Sequence, residues 1–461
     1  MSDLRNGINR LVGNTKRNKA GNQQPYVPAG NGDESGEYAD MVSGSNRHYT
    51  NPGSISTTQT QPGIESVIFN QKQEETNSRE SLTNNLTSKF IGNKEEIDGT
   101  VAKVVETTSE EGQKIISDYL KENEKLTIKF GGAGRNAAGC AWGYTQINTN
   151  TDPHTIRHEL GHTFDNFYGK QLEVDPSKPT GYVDKDYASM KYVDDETGLT
   201  MNEALHEELG VSMYRATFGA RGLRYIKEKR DNTELKKIQA TRINEVYNKY
   251  ADKVFDELTG ISNSREKYIL YSKQYKEAVE VAKNEMINTE IGQLTEQARQ
   301  EVNKAEEEYR SEMIRKGAWM ITYANSPKVV EARAKLQALR PKYEEVYKKL
   351  IEEKFGDKWE EYNKIANNRY TVYQKLKGVA GLVGDTHDYL KVSGNNDFYT
   401  TNGHGDYYFN QRKESGYALE IFANMFDCFT SKDEWKKECV KEMFPMASKI
   451  FEKIYYKKGR K

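Results

Sequence analysis

The chain is short of cysteine, of long apolar runs and of charge imbalance, and each shortage removes a class of protein. Three cysteines in 461 residues, Cys140, Cys428 and Cys439, cannot make a disulfide framework. None sits in a C-x-x-C pair, so a cysteine-based zinc site is not expected, and so few suit a reducing compartment. No stretch approaches the ~20 apolar residues of a membrane span. The opening residues, Met-Ser-Asp-Leu-Arg-Asn-Gly, hold no apolar core of a secretory signal. The 68 basic residues nearly balance the 69 acidic ones, which leaves no broad electrostatic footprint for nucleic acid. Charged residues make up 30 % of the chain, and that points to a long solvated helical part, a disordered part, or both.

The length allows two or three domains, and composition divides the chain into four stretches. Residues 1–85 are rich in Gly, Asn, Ser, Thr and Gln, and the first Phe is Phe69, so they read as a disordered or extended arm. Residues 86–215 turn globular. A helix is expected over 112–122, a strand over 126–130, and a second strand over 141–148 that could serve as an exposed edge for a peptide. Residues 216–377 are dense in Lys and Glu, with no proline between Pro179 and Pro327. Ile291, Leu294, Ala298, Val302, Ala305, Tyr309 and Met313 recur at spacings of three and four, with Tyr275, Val279, Ala282 and Met286 upstream. A second run carries Val329, Ala332, Leu336, Leu339, Tyr343, Val346 and Leu350. These predict two or more long antiparallel helices, with a kink or break at Pro341. Residues 378–461 return to loop chemistry and then to helices, with Ser431 and Glu434 spaced as a capping box. The fold class expected is α+β, predominantly helical.

The stretch Thr151–Gly169 carries the chemistry. His158, Glu159 and His162 form an H-E-x-x-H pattern. On a helix, residues i and i+4 share a face, so two imidazoles can hold one Zn²⁺ while Glu159 acts as a general base. Thr151 or Asp152 can cap the helix and Pro153 suits its first position. Ile156, Leu160, Phe164 and Phe167 supply an apolar face; Gly161 suits a close crossing and Gly169 a stop. His154, a turn earlier, reads as a supporting or surface residue. A catalytic zinc needs a third protein ligand and an open position. The candidates are Glu420 and Glu203, with Glu207 and His206 as lesser options.

The segment Glu420-Ile-Phe-Ala-Asn-Met-Phe426 resembles the third-ligand helix of the anthrax lethal factor-like zinc metallopeptidase domain. Gly403-His-Gly-Asp-Tyr-Tyr408 followed by Glu420-Ile-Phe-Ala423 is similar to a pattern in minor head proteins of tailed phages of Gram-positive bacteria. The resemblance spans about 86–215 and 378–457. It implies a zincin-like domain interrupted by the helical stretch, with His158, His162 and Glu420 on zinc and Glu159 as general base. A family Tyr seven residues before the ligand Glu, which supports the oxyanion, is replaced by Lys413; that role passes to His404, Tyr408 or Tyr407. The implied function is a zinc-dependent metallopeptidase within a phage or prophage structural protein, acting on a protein or peptide and meeting other virion proteins through its arm and helical insertion. It would be made in the bacterial cytoplasm and carried in the virion. Two alternatives stand beside it. One is a virion protein whose zinc only staples the fold, closed by a fourth ligand such as His404 or Glu203. The other is a secreted lethal factor-like protease toxin.

Overall fold

The computed structural model describes residues 64–131, 139–141, 144–173, 186–211, 213–219, 222–229, 232–318, 320–393, 404 and 406–458. The arm before residue 64, the prolines Pro176 and Pro179, and Gly403 and Gly405 lie outside these. Thr259–Arg369 form one compact unit; the described residues before Thr259 and from Tyr370 onward form another. The chain is mainly helical with a small mixed sheet. Among the described residues, no helix is long and apolar enough to cross a membrane.

The larger unit begins with helix α1 (Ile64–Lys89), which corrects the reading of 64–85 as arm. Among its side chains with described burial, 76–89, the buried apolar ones are two leucines one turn apart, Leu82 and Leu86, so the segment looks too polar to fold. Polar contacts to a neighbouring helix do the rest: Ser81 Oγ and Asn85 Nδ2 each lie 2.7 Å from Ser117 Oγ. Strand β1 (Phe90–Ile91) leads to α2 (Lys94–Thr107), capped by Asn93, and α3 (Glu110–Glu122), capped by Ser109. Then come β2 (Thr127–Phe130), β3 (Gly139–Ala141) and β4 (Gln146–Thr149). The sheet order is β1-β2-β4-β3, parallel except for β3, which runs antiparallel to β4. The single strand expected over 141–148 is therefore two. β4 lies between β2 and β3, so the edge position falls to β3.

Helix α4 (Pro153–Gln171) carries the histidines; α5 (Ala188–Lys191) and α6 (Met201–Leu209) follow. A two-stranded antiparallel hairpin, β5 (Met213–Gly219) with β6 (Gly222–Lys229), precedes α7 (Thr233–Thr259). The smaller unit is built on α8 (Ser264–Met286), α9 (Glu290–Arg315), α10 (Pro327–Phe355) and the start of α11 (Trp359–Leu376). The chain ends with α12 (Val379–Val392), α13 (Asp406–Thr430), α14 (Glu434–Met443) and α15 (Pro445–Lys458).

The unit boundaries, at 259 and 369, fall inside the expected 216–377. Residues 232–258 are as charged as the smaller unit, but Ala240, Ile243 and Val246 bury in the core that holds Leu205 and Leu209. Val372 and Leu376 pack with Ala251 and Val254 in the same unit. In the smaller unit, partners run in opposite directions along two arms: Tyr268 stacks on Tyr362, Glu285 pairs with Lys354, and Glu306 pairs with Arg333. The first arm is interrupted at Ile287–Thr289, so the upstream stripe belongs to a separate helix, α8. The second is unbroken through Pro341, so of the kink or break expected there the break does not occur. Proline removes one backbone donor, and the Val329-to-Phe355 stripe of buried contacts on either side holds the helix together. Ser431 accepts from Asp433 N at 3.2 Å rather than boxing the helix start, where Asp433 is the N-cap.

Candidate metal centre

Two helices that cross closely build the site. Asp152 caps α4, its Oδ2 accepting from Thr155 N at 3.1 Å, and Pro153 takes the first helical position. The apolar face of α4 meets α13: the Phe164 ring lies 5.0 Å from Phe426 and 6.3 Å from Phe422. Each such side chain, fully buried, contributes about 1.5–3 kcal/mol. Gly161 sits at the crossing, where a Cβ would come within 2.9 Å of Ala423 Cα. Gly169 is not the stop expected of it. The helix continues to Gln171, and a Cβ at Gly169 would meet the Tyr187 backbone at 2.4 Å. Small size serves close approach at both positions.

A buried ion pair sets the register of the crossing. Arg157 Nε donates to Asp427 Oδ1 at 2.8 Å, and its Nη1 donates to Thr107 at 2.7 Å. Burial pushes His154 below its usual range, so the neutral ring can accept from Arg157 Nη2, 3.0 Å from its Nδ1. Burial alone would raise Asp427, but Arg157, the His154 contact and Lys436 together outweigh it and hold the carboxyl well below its ordinary value.

With that register, Glu420 on α13 faces the histidines of α4. His158 Nε2 and His162 Nε2 each lie 3.3 Å from Glu420 Oε2, and the three ligand atoms lie within 4.8 Å of one another. Four ligands at tetrahedral zinc, bonded at 2.0–2.2 Å, stand about 3.3–3.5 Å apart. The separations to Glu420 match that edge. Glu420 Oε2 is buried and has no hydrogen-bond partner, the condition of an atom that awaits a cation. Burial opposes charge on His158, but Glu420 raises it to about 9; Glu420 itself is held well below its usual value because His162 and His404 outweigh its burial. The protons that the carboxylate holds on the imidazoles are what a divalent ion displaces. The residues therefore fit a metal.

Around this triple the remaining groups divide into supports and neighbours. The Tyr408 hydroxyl donates to Glu420 Oε1, leaving Oε2 toward the histidines. His404 is 40 % exposed at its side chain, and its Nε2 lies 3.6 Å from Glu420 Oε2. Its Nδ1 lies 2.7 Å from Asp385 Oδ1, which also accepts from His404 N at 3.1 Å. Asn424 Nδ2 donates to Asp385 Oδ2 at 2.9 Å. Burial opposes charge on His404, but Asp385 and Glu420 raise it to about 10. Asp385, His404 and Glu420 form a second close group. Since Asp385 already accepts three hydrogen bonds, it orients His404 as an imidazole partner. Glu159 is buried between the two histidine positions, with Cys140 Sγ 3.3 Å from its Oε2.

Among the described residues, no fourth His, Cys, Asp or Glu atom joins the first triple within 4.8 Å of all its members. Glu203 closes a capping box with Thr200, and His206 lies 2.6 Å from Asn202 O and 2.9 Å from Tyr389 OH. Neither these two nor Glu207 reaches the triple. The side chains of Tyr407 and Lys413 lie outside the described residues. Asp385, Asn424 and Cys140 are the neighbours that sequence reasoning passed over. A signal existed for Asp385, since Asp385, His387 and Asp388 interrupt an otherwise apolar helix. Nothing in the order of residues ties Cys140 or Asn424 to the centre.

Compared with models of protein families, with curated proteins and with solved structures, the chain matches none.

Proposed function

We propose that the chain is a zinc-dependent metallopeptidase of the gluzincin kind, its zincin-like domain interrupted by the helical unit, and that it belongs to a phage or prophage minor head protein. The observation that carries the catalytic reading is the triple itself: two histidines each at tetrahedral-edge distance from Glu420 Oε2, with no fourth described donor within 4.8 Å of all three. A fold-stapling zinc needs that fourth ligand. His404 Nε2, the nearest alternative, stands outside the set. The virion assignment, with synthesis in the bacterial cytoplasm, rests on the pattern of Gly403–Tyr408 and Glu420–Ala423 alone.

His158, His162 and Glu420 would hold the ion. Bound there, zinc supplies Lewis acidity toward a scissile carbonyl and lowers the pKa of a water. Glu159 takes a proton from the attacking water and returns it to the leaving amine. His404, held by Asp385, directs Nε2–H toward the developing oxyanion. Tyr408 orients Glu420. The β3 edge, which pairs only with β4 among the described residues, offers free N–H and C=O groups to an extended peptide.

The test uses the full chain loaded with zinc and fluorescein-labelled casein as a general protein probe. Glu159→Gln should keep its zinc and lose roughly 10²–10⁴-fold or more in cleavage rate. Glu420→Ala should lose the metal as well. Cleavage retained by the Glu159 variant would sink this mechanism, and full zinc retention by Glu420→Ala would remove Glu420 from the ligand set.

A further inference from the structure

We propose that Cys140 is a positioning residue: its thiol donates to Glu159 Oε2 and holds that carboxylate in the orientation the proton transfer needs. This rests on the peptidase reading above. Cys140 lies on the edge strand β3, opposite Ile147 of β4, and α4 packs across these strands. Its Sγ is 3.3 Å from Glu159 Oε2 and 3.5 Å from the Glu159 carbonyl oxygen. One S–H proton can serve one acceptor well, and the charged carboxylate is the stronger.

Two other roles for this sulfur fit less well. It is not within ligand distance of the His158–His162–Glu420 set, so it does not complete the metal site. Nor is it a nucleophile. Burial, then the charge of Glu159, pushes the thiol well above its ordinary value, so it keeps the proton that it donates. Glu159 needs such a donor because its neighbours in sequence point elsewhere. His158 and His162 face the ion from the same side of α4, and Glu159 projects about 100° round the helix from His158. Among the described residues, Cys140 is the side chain that donates to it. A glutamate left without a partner samples several rotamers, and only some hold the carboxylate beside the attacking water.

The experiment compares wild type, Cys140→Ala and Cys140→Ser as full chains loaded with zinc, with labelled casein as the probe. Cys140→Ala should lower kcat about tenfold, a barrier change of about 1.4 kcal/mol, with KM and bound zinc unchanged. Cys140→Ser should recover most of the loss, since a hydroxyl can donate where a methyl cannot. A structural role would instead move zinc content and folding together, and the serine would not rescue it. The S–H stretching band of Cys140, isolated as the infrared difference between wild type and Cys140→Ala, is a readout independent of turnover. It should lie below the bands of Cys428 and Cys439 and rise in Glu159→Ala. An active wild type with an unshifted band, or Cys140→Ala turning over at the wild-type kcat, overturns the proposal alone. A wild type inert toward casein with a shifted band sinks the peptidase reading, and Cys140 is then a packing donor only.

Discussion

The crossing of α4 and α13 and the pairing of α9 with α10 are both helix contacts rich in ionic side chains, but the charges do opposite work. At the first, Arg157, Asp427 and Glu420 are buried, and each sits where a partner or a metal can balance it. At the second, most of the charges lie on the outside. Lys335 pairs with Glu331 and Lys349 with Glu345, each four residues apart along α10. The stripe of Ile291, Ala298 and Val302 against α10 is what closes that contact. Burial, not the number of charges, decides how much a helix pair depends on them. In water an ion pair is screened; inside, an unmatched charge is costly.

The largest test of that contrast is Asp427→Asn. It leaves Arg157 buried without its counter-charge and should cost ~3–5 kcal/mol in denaturant unfolding. The sign with pH follows from the same pair. Asp427 titrates lower folded than unfolded, so its contribution is complete above the ordinary carboxylate range near 4 and is lost as pH falls through its depressed folded value. Wild type should lose stability more steeply than Asp427→Asn over that acid window. Equal slopes would mean that Asp427 does not carry the interaction.

Pro341 gives a test of the second region with the opposite sign. It is exposed within the unbroken α10, so the helix lacks one backbone hydrogen bond there. Pro341→Ala should stabilise the helical unit by up to ~3 kcal/mol, read as a higher midpoint at an unchanged m-value. A loss of stability would show that the helix is bent to its partners by the proline. Gly161→Ala returns to the first region. The new Cβ meets backbone at 2.9 Å, so α4 and α13 must separate; overpacking of this kind costs ~1–3 kcal/mol. Glu420 lies one turn from Ala423, so zinc affinity should fall as well, measured by competition with a chelator.

These sites differ in how far the sequence reveals them. The start of α4 is local: Asp152, Pro153 and the two histidines declare a capped helix with a ligand face within about ten residues. The helical unit is legible for a similar reason, since repeated spacings of three and four mark a stripe whatever it packs against. Glu420 is different. It joins the histidines only through the Gly161–Ala423 crossing and the Arg157–Asp427 pair, and no local pattern encodes a crossing. Glu203 has an equally suggestive context, yet its carboxylate closes a capping box. The second half of helix α1 is not legible because polar contacts of Ser81 and Asn85 to Ser117 supplement its two buried leucines. Asp385 and Cys140 have no periodicity at all; what matters about them is the atom each touches.

The smallest expected effect belongs to Glu306→Gln. Arg333 donates to Glu306 Oε1 from Nε at 3.0 Å and from Nη2 at 2.6 Å, so the pair has better geometry than most at a surface. The Glu306 side chain keeps only 14 % of its area exposed, but Arg333 is about half exposed, and its guanidinium also lies over the Tyr323 ring. Water and salt screen the charge, and the arginine keeps a second place to rest when the carboxylate is neutralised. The cost should be ~0.2–1 kcal/mol at low salt and should shrink further as ionic strength rises. Denaturant unfolding at two salt concentrations reads both. A cost near that of Asp427→Asn, or one that salt leaves unchanged, would break the comparison, because a pair whose arginine stands half in water would then be acting as though it were fully buried.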